Sequence, residues 1–315
     1  MVIMLASLPP SGNDTTPITL LSLADTAALA LATHYLLRLL GVTDADRAAA
    51  LIFALPVIAL SAGLMGRYDT LWATPVVMAI AAAIQRRPIT MLAWCGLALG
   101  LTIQALLIAP FFLALLINRR VPIRLWPIAP LTTAATMMAA WCIGRPVFDF
   151  ASASERQIDA YVALSFDAPN IWAIAQTLPL GGTPLLGLAL AAAIGTTIAY
   201  VAHFSAQPLT DKSTTSVALL GILLMAGLLP GMHERDFFLA NILALVMALA
   251  LRDLGSIRIA ALVQAGSILG LLGHASGIDA LPILGAVAMI AATFQLARPL
   301  LKPAANDNPL IARTV

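Results

Sequence analysis

Four consecutive polar side chains, His233, Glu234, Arg235 and Asp236, interrupt the otherwise apolar stretch LLPGMHERDFFLANILALVMAL. An arginine two positions from a histidine can aim two or three N–H donors at one phosphate, and the guanidinium fork suits phosphate oxygens best. Glu234 is placed to hold Arg235. The plainer reading is a loop, in which Pro230 and Gly231 end one helix and the acids favour the positive start of the next. Spacing alone leaves both open. A second group sits in SAGLMGRYDTLWATP, where Arg67 could face an anionic ligand while Asp69 orients a hydroxyl-bearing one. The same residues also make an interfacial turn, with Tyr68 as headgroup-level anchor and Arg67 paired to Asp69. Asp25 lies inside an apolar segment, where an ionisable group is unfavourable unless it is paired or lines a cavity. It could also serve helix packing, or reach water near the end of its segment.

The elements that carry these residues are set by composition. Of the 315 residues, 61% are hydrophobic and only 10% charged, with a mean hydropathy of +0.95. A soluble domain carries about a quarter charged residues, so this chain cannot build a water-exposed surface. Apolar windows recur near 18–40, 47–65, 70–85, 89–105, 106–118, 122–141, 183–204, 214–230, 237–251, 258–274 and 281–297. Lipid offers the backbone no hydrogen-bond partner, so such windows predict helices. The expected fold is all-α: a polytopic integral membrane protein of about eleven transmembrane helices, with residues 1–315 forming a single transmembrane domain.

Basic residues orient it. The clusters QRRP and NRRVPIR are separated by roughly thirty residues, too many for one span and short for two. Placing both on the cytoplasmic side requires a hairpin of two short spans, with Pro110 near its turn. Of the 17 basic residues, all but Arg67, Arg145, Arg156 and Arg235 then lie in the cytoplasm. The N-terminus falls outside, the C-terminus in the cytoplasm, and the protein in the inner membrane. The outer face collects Asp14, the GRYDT turn, a loop over 142–182, the HERD segment, and HASGID with His274 and Asp279. The aromatics of that loop (Phe148, Phe150, Tyr161, Phe166, Trp172) are spaced as in a membrane-surface helix, or as the lining of a path for a lipid-linked substrate. A net charge of +2 gives no support for a nucleic-acid partner. Cys95 and Cys142 read as buried filler. No Cys/His spacing builds a metal site; no cofactor is called for, and a divalent-metal requirement stays open.

Taken together, three motifs resemble the bacterial GT-C glycosyltransferases, in the mannosyltransferase-like group related to the second GPI mannosyltransferase. The family's GQYD is matched by Gly66, Arg67, Tyr68 and Asp69; its GLALLFKLQALLLAP helix by GLALGLTIQALLIAP; its MHERY by Met232 to Asp236. SFDAPN also resembles the family's outer-loop SxNAPN. The resemblance runs from about residue 18 to the end. It implies a GT-C-like fold and transfer of a mannose-type hexose from a polyprenyl-phosphate donor on the extracytoplasmic side. His233 and Arg235 would then face the phosphate, while Asp69, Tyr68 and Gln104 shape the sugar or lipid pocket.

The departures define the alternatives. Arg67 replaces Gln, Thr102 replaces the Lys of the family's KxQ, and Asp236 replaces Tyr. Family members carry one further N-terminal span and a first outer loop with the acid assigned as catalytic base. Here only MVIMLASLPPSGNDTTP precedes the first span, so the comparison implies a shortened or inactive relative. Asp14 is the one acid left there to stand as base. The competing expectations are a non-catalytic membrane scaffold or partner subunit and, ranked last, a transporter of a lipid-linked substrate.

Overall fold

The computed structural model describes residues 16–60, 69–142, 164–178 and 185–301. Asp14, Arg67 and Tyr68, with Phe148, Phe150 and Tyr161 of the long loop, lie outside the described residues. The chain begins with helices α1 (Thr16–Leu39), α2 (Ala45–Ala54), α3 (Pro56–Ile58), α4 (Asp69–Ile84) and α5 (Pro88–Leu101). A 3-10 turn (Ile103–Ile108) leads into α6 (Ala109–Asn118), and a second (Ile123–Leu125) precedes α7 (Ile128–Cys142). Strand β1 (Ser165–Phe166) and α8 (Ile171–Ala175) come before α9 (Leu185–Ala206) and α10 (Asp211–Leu228). Strand β2 (Met232–His233) and a 3-10 turn (Glu234–Phe237) open onto α11 (Phe238–Leu251), α12 (Leu254–Ser276) and α13 (Ala280–Leu300).

Each apolar window holds helix, but the windows are not all continuous. The one over 47–65 breaks at Leu55, whose extended backbone (ψ 121) is what a residue before proline adopts. Among the described residues four helices, α9, α10, α12 and α13, are long and apolar enough to cross a membrane. That is fewer than the eleven expected. Segments Asp69–Ile84, Pro88–Leu101 and Ile103–Asn118 are apolar but shorter. Between the two basic clusters the helix breaks at Thr102, which is extended (φ −158), and the 3-10 turn that follows leads to Pro110 in the first turn of α6. Pro88 and Arg119 line one cavity, so the hairpin does bring both clusters to one end.

Burial sorts the helices into a centre and a rim. In α10, 67% of the apolar window is buried inside the protein, against 17% in α9. The outer faces of α9 and α13 are themselves apolar, with Leu188, Ile194, Ile198, Leu284, Val287 and Phe294 all exposed. A surface of that kind suits lipid rather than water. Cys95 is buried as expected, whereas Cys142, at the end of α7, is exposed.

When both sides of an interface are as greasy as the lipid, helices hold together through close backbone approach and internal hydrogen bonds. The GLALG of α5 supplies the first. A Cβ on Gly96 would stand 2.2 Å from the Ala129 carbonyl oxygen of α7, and one on Gly100 would stand 2.6 Å from Thr136 Cβ. Buried Asn241 supplies the second, donating to Ser267 Oγ (2.8 Å) and accepting Gln264 Nε2 on its carbonyl (3.0 Å), which joins α11 to α12. Gly96→Ala is expected to lower the unfolding free energy by about 1–3 kcal/mol through overpacking. Gly187→Ala on the rim, where nothing lies within 4 Å, should be neutral. Paired melting curves in one detergent check both.

Candidate functional site

The HERD segment is held by a short outer-loop element, residues 164–178. Strand β1 pairs in parallel with β2, Ser165 opposite Met232 and Phe166 opposite His233, and Gly231 N–H donates to the Leu164 carbonyl (3.0 Å). Gly231 takes φ +72, a left-handed turn that glycine allows freely. The loop is fixed at several points. Trp172 Nε1 donates to the Leu228 carbonyl at the end of α10 (2.7 Å), and Asn170 caps α8 through the N–H groups of Trp172 and Ala173 (both 3.1 Å). Pro169 lies over two glycines: a Cβ on Gly270 of α12 would come within 2.8 Å of its ring, and one on Gly285 of α13 within 2.9 Å. Phe166 and Trp172 therefore belong to a segment docked on its neighbours, Trp172 within the short helix α8.

Within this frame Asp236 is 3% exposed, and both its oxygens are engaged. Gln104 Nε2 donates to Oδ1 at 2.8 Å, and the His233 backbone N–H donates to Oδ2 at 2.7 Å. Two stretches 132 residues apart, TIQALLIAP and HERD, are thus directly bonded. Burial pushes the Asp236 carboxyl above its ordinary value, opposed by the bond from His233, then by Arg235, the His233 ring and Gln104. The His233 ring stacks on Phe166, centroids 4.9 Å apart and planes within 15°. Burial pulls its pKa below 6.5, Asp236 opposes, and Arg235 and His274 push the same way as burial. Burial thus favours the neutral imidazole, which offers one N–H rather than a charge.

Glu234 and Arg235 part company. Glu234 is buried, Arg235 is exposed, and no ion pair joins them, contrary to the expectation that one would hold the other. A 3-10 turn places side chains only about 120° apart around its axis, so neighbours in sequence face different surroundings. Among the described residues the Arg235 guanidinium has no carboxylate partner, which leaves its fork free for an oxyanion. Asp167 and His274 join the site as a pair that spacing alone did not reveal. Asp167, at φ 54, takes a left-handed turn that Asp and Asn tolerate best, and its Oδ2 meets His274 Nδ1 at 2.9 Å. The signals were present separately, in SFDAPN for Asp167 and in HASGID for His274, which reaches it from α12.

The other expected residues cluster at α1 and α4. Asp25 accepts a hydrogen bond from the Thr70 hydroxyl, so its carboxylate serves packing between α1 and the start of α4. Asp69 is buried in the first turn of α4, where the helix dipole favours a negative charge. Among the described residues no group of three His, Cys, Asp or Glu could hold a metal ion.

No protein-family model matches the chain, and no curated protein matches it either.

Gln104→Ala leaves Oδ1 of the buried Asp236 carboxyl without its donor, while Oδ2 keeps the His233 N–H, and is expected to destabilise the fold by about 1–3 kcal/mol, read by thermal or denaturant unfolding. His233 carries a pH signature. Its folded-state pKa is depressed, so its contribution is fully present above 6.5 and lost as pH falls below that value. Protease resistance of the 164–178 loop should therefore weaken from pH 6.5 downward. His233→Phe, which keeps the stack on Phe166 but cannot titrate, should flatten that decline.

Proposed function

We propose that the chain is a multi-pass membrane glycosyltransferase of GT-C type, transferring a mannose-type hexose from a polyprenyl-phosphate donor. The excess of basic residues at one end supports an inner-membrane orientation with the N-terminus outside, the C-terminus cytoplasmic and the site extracytoplasmic. The observation that carries the reading is the Gln104–Asp236–His233 connection. It joins two motifs chosen on resemblance and leaves the Arg235 fork turned out beside a neutral imidazole.

In this reading the donor phosphate lies against Arg235, with the His233 N–H as a second donor. The acceptor hydroxyl oxygen attacks C1 of the hexose as the bond from C1 to the phosphate oxygen breaks. Negative charge grows on the departing polyprenyl phosphate, where the guanidinium stabilises it. The hydroxyl proton passes to His274, whose ring is oriented by Asp167, as a general base held by a carboxylate. Asp14 is not needed in that scheme. The lipid tail runs between helices whose outer faces are already apolar.

The test is release of polyprenyl phosphate from a labelled hexosyl-phosphoryl-polyprenol by the full chain in proteoliposomes. Arg235→Ala is expected to lower turnover about 100-fold, the scale of losing one preorganised charge-stabilising donor. Arg235→Lys, a point charge in place of a fork, should restore part of it. Unchanged turnover in Arg235→Ala removes the phosphate role. Absence of release by the wild type with any hexosyl donor instead favours a non-catalytic membrane subunit.

A further inference from the structure

A charged cavity lies at the end of the α5–α6 hairpin away from Gln104. Helix α5, 14 residues long, carries the chain about 21 Å from Pro88 toward Gln104, and α6 returns it to Arg119. Arg86, Arg87 and Arg119 line a cavity of about 170 Å³ there, with Met91, Leu115 and Val121 among its apolar walls. That is the volume of about five to six waters, enough for a tetrahedral anion. Among the described residues no acidic side chain lines it.

The three arginines are presented by specific backbone devices. Helix α4 ends with Arg86 at φ 58, its N–H donating to the Ala83 carbonyl and that of Arg87 to Ala82 (both 3.0 Å). Glycine usually fills this left-handed closing position; here arginine does. Helix α5 then begins with Pro88 in its first turn and no side-chain cap, so its leading N–H groups face the same end. Arg119 reaches across from α6. Its Nη1 donates to the Ala83 carbonyl, while Nη2 is buried and has no acceptor among the described residues. Burial and then the neighbouring Arg86 both work against the Arg119 charge, with Asp211 in the first turn of α10 giving partial relief.

We infer that this cavity binds a phosphate ester, with Arg119 Nη2 and the Arg86 and Arg87 guanidinium groups as donors. Phosphate oxygens match guanidinium forks in geometry and charge, and basic pockets between membrane helices suit phospholipid headgroups. A headgroup and a soluble phosphate ester share this chemistry. The site is independent of the glycosyltransferase reading.

The experiment uses the full chain in phosphatidylcholine nanodiscs, titrated with phosphatidylglycerol or with glycerol phosphate, and reads saturable shifts in melting temperature. The comparison protein is Arg86→Gly/Arg87→Gln; glycine suits φ 58, and an unchanged melting temperature in phosphatidylcholine alone checks the fold. Each arginine is worth about fivefold in binding near an anionic phosphate, so the double variant should bind about 30-fold more weakly. If it does not fold, Arg87→Gln alone should weaken binding about fivefold. A shift with phosphatidylglycerol only assigns a lipid headgroup, and a shift with both assigns any phosphate ester. No shift with either, or equal binding by wild type and variant, overturns the proposal.

Discussion

A carboxylate withdrawn from water must be compensated on the spot, and Asp236 is compensated from two directions. One donor is the backbone N–H of His233, which closes the turn locally. The other is Gln104, which reaches from the break in the α5–α6 hairpin. Moving either partner would leave one buried carboxyl oxygen unpaired, which ties the break at Thr102 to the turn after α10 and the start of α11. Strand β2 is positioned by that turn, β1 by β2, and the Phe166 ring by β1. The geometry around His233 follows from one satisfied acid.

How much of this was legible in the sequence depended on whether the signal was local. The helices were, because an apolar run in lipid has only one way to satisfy its backbone. The polar clusters were also visible, since HERD and the Gln104 stretch stand out against an apolar background. Their connection was not. A bond between residues 132 apart has no trace in spacing. The break at Thr102 itself was not legible, whereas Pro110 marked the far end of the connection between the two helices. The pairing of His274 was hidden for a related reason: its partner Asp167 comes from a loop brought over by a two-residue ladder, too short to leave a periodic pattern. Glu234 and Arg235 invited pairing as neighbours, yet a tight turn sends one inward and the other out.

The glycines do two jobs that composition alone does not separate. On α5 they admit another helix, α7, at backbone distance. On α12 and α13 they admit a loop, since Gly270 and Gly285 take the ring of Pro169 rather than a neighbouring helix alone. Both follow from the weakness of hydrophobic sorting in lipid, which leaves shape and internal polarity to specify partners.

The seat of Pro169 has a mechanical consequence. The ring is keyed into a notch shared by two helices, and the same loop is bonded to the end of α10 through Trp172 and to β2 through its backbone. The loop, the α12–α13 hairpin and the turn after α10 are therefore tied together at several points, as one jaw. The opposing jaw begins with α1 and α4, fastened to each other through the Thr70–Asp25 bond. Any widening of the site to admit a bulky lipid-borne molecule would have to separate the jaws rather than peel back the loop.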